Sequence, residues 1–217
     1  MTLTFAGTLD HAAVVRAVDA LVDLVAAPEV AERWEQESVL PGMTLGGLVR
    51  HLVSQPECAV AFLGHGSPPH AQVLSLADYF ERVDWLLAPV DAPENTSIRD
   101  DFNEMAGPGV EESRGILERS RSELGAAIAA AGPAVYVPWQ DCSLERDDFL
   151  VVRLMELVVH ADDLAVSLGR PTPAFEPEVL EPVLALLAAL AARRRGQDDV
   201  LRALARTERA GGPVSAF

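Results

Sequence analysis

Apolar positions recur three and four residues apart over long windows of the chain, and period-two alternation is almost absent, so the pattern predicts a mostly helical protein. A first helix is predicted from about Asp10 to Ala26, with Val14, Val18, Leu21, Val22 and Val25 on its inner face and Pro28 marking the break. The next starts near Thr44, a suitable N-cap after "LPGM", and carries "TLGGLVRHLVSQ" into "ECAVAFLG", with Pro56 expected to kink it. "SLADYFERVDWLL" (75–87) predicts a shorter helix capped by Ser75, and a long helix follows from about Pro108 to Ala131, with Ile116, Leu117, Leu124 and Ile128 inward and Gly132-Pro133 as its stop. "AVYVPWQDCSL" (134–144) alone has strand-like composition and predicts an extended connection or a small hairpin. A further helix is expected from about Arg146 to Leu168, closed by Gly169 with Pro171 beyond, and two more near Glu176 to Arg194 and Asp198 to Thr207. Long helices joined by modest loops argue for an all-α bundle over residues 1–172, with a C-terminal helical extension, 173–217, packed on it.

Composition narrows the function classes. The chain has 217 residues, 49% of them apolar, enough for a sizeable core. Its formal charge of -16 comes from 33 acids against 17 bases, and every base is arginine because the sequence contains no lysine. Such a surface repels phosphate backbones and anionic lipid, so neither nucleic acid nor membrane is expected as a partner. The longest apolar stretch, "PVLALLAALAA", is too short and Ala-rich to span a bilayer, and no basic region precedes an apolar run at the N-terminus; a cytoplasmic protein is expected. Cys58 and Cys142 form no C-x-x-C pattern and read as free thiols. No nucleophile elbow, P-loop or dinucleotide fingerprint is present.

One segment carries chemistry in an unexpected place. In "RLMELVVHADDLAVSLG" (153–169), Arg153, Glu156, His160 and Asp163 fall in one narrow sector of the helix, bordered by Leu157 and Leu164 on one side and by Val152 and Val159 on the other. A polar stripe walled by apolar residues points inward, where a carboxylate and an imidazole need partners. Two arrangements supply them. Arg153 can bridge Glu156 at i,i+3 while His160 bonds Asp163, a purely structural network; or Glu156 and His160 can ligate one ion, for which nitrogen and carboxylate oxygen suit Zn, Ni or Fe(II). An ion needs a further ligand. His65 and His70 lie in the loop-like "GHGSPPH" and His11 at a helix start, whereas His51 sits among Leu48, Val49, Leu52 and Val53, with Thr44, Gln55, Cys58 and Phe62 on its side of the helix.

With these residues in place the sequence resembles the mycothiol-dependent maleylpyruvate isomerase N-terminal domain, within the DinB/YfiT-like metalloenzyme superfamily. "GMTLGGLVRHLV" (42–53) is similar to the family's G-W-T-x-x-D-L-x-x-H-L helix, and residues 153–169 are similar to its R-x-x-E-x-x-x-H-x-x-D-L signature; Trp34 and "VYVPW" (135–139) also fit, over roughly residues 8 to 170. The resemblance implies a four-helix bundle whose metal, zinc in the better understood members with nickel or iron as alternatives, is held by His51, Glu156 and His160. It further implies mycothiol as thiol cosubstrate and a small electrophile as its target. Arg153 and Asp163 are then the expected catalytic auxiliaries, and Thr44 and Gln55 the expected cofactor-facing residues. The low lysine and high arginine and alanine content looks like the codon bias of a GC-rich genome, in keeping with actinobacteria, where mycothiol occurs.

The sequence departs from the family pattern at Met43, where Trp is frequent, and at Gly46-Gly47, where an acidic residue often precedes the Leu. The residues after Pro173 are too few for the isomerase's second, substrate-contacting domain, which favours a stand-alone thiol transferase, monomeric or homodimeric. A non-catalytic, dimerising helical module and a metal-water hydrolase or lyase on the same bundle are the competing readings.

Overall fold

The computed structural model describes residues 3–83, 88 and 92–217. Helix α1 (His11–Val25) starts where the Asp10 side chain accepts hydrogen bonds from the backbone N–H groups of Ala12 and Ala13. It is followed by the short α2 (Pro28–Glu32), then by α3 (Leu45–Leu63), capped by Thr44, whose hydroxyl accepts from the Gly47 N–H. α3 runs through Pro56 without interruption. After α4 (Leu76–Glu81) and α5 (Pro93–Met105) come the long α6 (Val110–Ala130) and α7 (Arg146–Leu168), the latter closed by Gly169 in the left-handed conformation at φ 67°. α8 (Pro177–Arg195) and α9 (Gln197–Ala205) end the helical part.

Four helices form the bundle: α3 packs on α6 and α7, and α1 packs on the same two. Leu21, Leu45, Leu48, Leu52, Leu124, Phe149, Leu150 and Met155 are its fully buried centre. Each occupies the apolar stripe of its own helix, and burying these stripes against one another supplies the main stabilisation, at about 1.5–3 kcal/mol per large side chain. α8 lays Val179, Val183, Leu186 and Leu190 against α7 and α1 and so joins the same core.

The strand-like segment is a hairpin, β2 (Ala134–Val137) with β3 (Cys142–Glu145), turned through a 3-10 segment, Pro138–Gln140, and Asp141 at φ 47°. A two-residue strand, β1 (Val73–Leu74), adds in parallel on the other edge of β3, giving the order β1-β3-β2. Three elements differ from the sequence expectation. α2 and β1 are too short to show a period, and α5 buries none of its residues, so it has no apolar stripe to betray it. The helix expected over 75–87 is formed at Leu76–Glu81, and its residues 84–87 lie outside the described ones. Among the described residues no helix is long and apolar enough to cross a membrane.

Candidate metal centre

α3 and α7 pack side by side, and the contact brings His51 of α3 against Glu156 and His160 of α7. Glu156 and His160 stand one turn apart on α7; of the expected apolar walls Val152, Leu157 and Leu164 are buried, while Val159 is only half-buried. Only 14% of the Glu156 and 13% of the His160 side chain remain exposed. The three residues place ligand atoms within 4.8 Å of one another, a grouping able to hold a metal ion.

The hydrogen bonds define the roles further. His160 Nε2 lies 3.2 Å from Glu156 Oε2, while His160 Nδ1 lies 3.0 Å from Asp163 Oδ2, the carboxylate partner that fixes ring orientation in histidine metal sites. The His51 ring is stacked on Phe102 of α5 at 4.1 Å between centroids and 11° between planes, and meets the His160 ring at 4.3 Å. Its buried Nδ1 has no hydrogen-bond partner. Burial, with the neighbouring His160 charge, drives the His51 imidazole down to about 3, so it is neutral at physiological pH. Burial alone would raise the Glu156 carboxyl, but the bond and charge of His160, helped by Arg153, hold it well below the usual range. His160 is pushed the other way: burial would lower it, yet Asp163 and Glu156 together raise it.

This donor set fits a divalent ion. It offers a neutral imidazole with an orphaned nitrogen, an ionised carboxylate, and a second imidazole steered by a carboxylate behind it, which is the two-histidine, one-carboxylate chemistry that zinc, nickel and iron accept. His160 must release the proton it shares with Glu156 for such an ion to enter.

The other expected site residues fall in two groups. Asp163 stands behind His160, bonded to its Nδ1. Thr44 is occupied locally: its hydroxyl caps α3 and donates to Asn103 Oδ1 at 3.0 Å. Gln55 bonds the His51 carbonyl at 3.0 Å and accepts from Arg153 Nη1 at 2.8 Å. Arg153 therefore does not form the i,i+3 pair with Glu156 that the spacing suggested. Its guanidinium turns to Gln55 and lies over the rings of Trp139 and Phe149, at 5.7 and 5.9 Å from their centroids. Cys58 is half-buried and outside the hydrophobic core, and burial pushes its thiol up. His11, far from the centre, bonds Asp147 at 2.7 Å, and the exposed His70 bonds Asp141.

Phe102, Asn103 and Tyr79 escaped the sequence reading. Phe102 and Asn103 sit on α5, where the only local signals are Pro93 at the first helical position and Glu94 after it. The same helix accounts for Gly47, and Trp34 for Gly46. A Cβ on Gly46 would stand 2.5 Å from the Trp34 ring, and one on Gly47 would strike the Asn103 side chain, so a close approach of Trp34 and α5 occupies the space that side chains would take.

Fold and centre together define a helical bundle with an inward histidine and carboxylate site. The profile of the mycothiol maleylpyruvate isomerase N-terminal domain matches residues 14–165, well over half of the chain, and the chain belongs to that family. The family points to a mycothiol-related function. No curated protein and no solved structure gives a significant match.

Proposed function

We propose that this protein is a metal-dependent enzyme of transferase or isomerase type that uses mycothiol against a small electrophilic substrate. The observation that carries the reading is the convergence of His51, Glu156 and His160 within 4.8 Å at the α3–α7 contact, inside the region matched by the mycothiol family. His51, Glu156 and His160 would hold the ion, zinc first among the candidates. When bound, such an ion supplies a positive charge that deprotonates a thiol placed beside it.

The chain's own residues do the remaining work. Asp163 holds the His160 ring through Nδ1 and leaves Nε2 directed at the ligand position. Phe102 covers one face of His51 and keeps water from it. Gln55 anchors the α3 backbone at His51 and steers Arg153. Residues 1–172 would form the catalytic unit and 173–217 an extension on it, acting in the cytoplasm as a monomer or homodimer on small molecules.

The test is metal stoichiometry by mass spectrometry on untagged wild type and His160→Ala, followed by thiol consumption with mycothiol and a panel of electrophiles. About one divalent ion per chain in wild type, lost in the variant, with mycothiol-dependent turnover, is expected. Metal-free wild type that takes up no added zinc overturns the proposal.

A further inference from the structure

Apart from the metal centre, apolar surface lies uncovered at both ends of the C-terminal extension. At its start an open groove of about 490 Å³ runs between α7 and the first turn of α8, lined by Val158, Val159, Phe175 and Leu180 together with the acidic Asp162. The apolar strip continues one turn along α8 to Leu184, which is 53% exposed, and Glu181 follows Leu180 on the surface. At the other end, α9 buries Val200 alone and leaves Leu201 and Leu204 at 66% and 72% exposed, the barest large apolar side chains among the described residues.

These two surfaces do not meet within one chain. α8 puts about 22 Å between Leu180 and the turn at Gly196, whereas the nine residues of α9 span about 13 Å. α9 packs back on α8 accordingly, and no α9 residue lines the groove. Charge then points to what covers them. Residues 193–209 hold six arginines against three acids, a net of +3 in a chain of -16. Among the described residues Arg206 and Arg209 form no ion pair, and neither does Glu181 beside the groove. Two chains of -16 repel at long range, so they associate where opposite signs face each other. A basic segment with bare leucines and an apolar groove with acidic neighbours supply both halves of such a contact on one chain.

We propose that two copies of this chain pair about a two-fold axis, α9 of each laying Leu201 and Leu204 into the α7–α8 groove of the other, with its arginines toward Asp162 and Glu181. Such a pairing makes the same contact twice and closes at two chains. It also gives α9, a helix too short to be stable by itself, a second packed face. The pairing selects the homodimer and stands apart from the metal reading, on which it does not rest.

Sedimentation velocity on the full chain, from micromolar to submillimolar loading, is expected to give the mass of two 23.2 kDa chains. Leu201→Gln with Leu204→Gln removes only exposed apolar groups and keeps helix-forming residues, and Leu180→Gln spoils the groove; each should weaken the dimer at least a hundredfold with circular dichroism and metal content unchanged. Arg206→Glu with Arg209→Glu should weaken it about tenfold. Mixed in equal parts, the α9 variant and the groove variant should recover a weak dimer, because that pair keeps one intact contact of the two. A wild type that stays monomeric at every loading overturns the pairing and leaves the groove to a different ligand. A dimer indifferent to both leucine variants has its interface elsewhere and overturns it equally, and a mass that climbs steadily with loading overturns the two-fold. A dimer with these responses in a protein that takes up no metal supports the pairing and overturns the proposed function instead.

Discussion

Helix α7 carries two buried polar clusters, one in its first turn and one in its central turns, and they are completed differently. At the start, Asp148 accepts from the Thr4 hydroxyl at 3.0 Å and the Phe5 N–H at 2.6 Å, while Asp147 accepts from the Gly7 N–H and His11 Nε2, both at 2.7 Å. Every carboxylate oxygen there has a donor, and the helix N-terminus favours the charge as well. At the central turns, Arg153 Nε and, facing them from α3, His51 Nδ1 are buried without hydrogen-bond partners. Buried polar atoms are almost always satisfied in native proteins, so a fully bonded cluster reads as a fastening for the N-terminal segment, and one with spare atoms reads as a place for something to bind.

The comparison can be broken most directly at His51. His51→Ala should cut divalent metal from about one per chain to background, at least a hundredfold in affinity, with unchanged helicity; chelator competition and circular dichroism measure both, and full metal retention would erase the difference between the clusters. Next, Asp163→Asn should weaken metal binding about 10–100-fold while excess zinc still restores one ion, the expected effect of losing the carboxylate behind a ligating histidine. At the other cluster, Asp148→Ala should lower stability in urea by about 1 kcal/mol, because the freed Thr4 and Phe5 donors can turn to water, and should leave metal affinity within about twofold. A larger metal effect than stability effect there would show that the fastening serves the centre.

The smallest effect concerns acid. Burial would raise the Asp147 carboxyl, but His11 and the Gly7 N–H bring it below the ordinary value. A carboxyl lowered in the folded state adds stability above its unfolded pKa of about 3.9 and loses that contribution as pH falls through the folded value. Asp147→Asn should therefore lose less stability than wild type on going from about pH 5 to pH 3. An identical acid slope in the two proteins would remove Asp147 from the account.

The helices of the core were legible because each buries one stripe, and the stripe of Glu156 and His160 was legible for the opposite reason, being polar between apolar walls. His51 could be singled out among five histidines by its apolar neighbours, and the structure brings it to the other two. Arg153 could not be read. Its spacing to Glu156 is as suitable for an ion pair as its reach to Gln55, and only the packing of α3 on α7, 98 positions apart in sequence, decides between them. α5 was equally opaque, since a helix with no buried residue writes no period into the chain.

That same helix sets how the centre meets solvent. α5 is held by polar ties, Arg99 to the Pro41 carbonyl and Asn103 to Gly42 and Thr44, with Phe102 against His51 as its main apolar contact at the centre. Segments held this way open locally at a free energy below that of global unfolding. Amide hydrogens of α5 should therefore exchange ahead of those in α3 and α7. Access to the covered face of His51 is a matter of one polar helix fraying, on a clock separate from that of the bundle that holds the ligands in place.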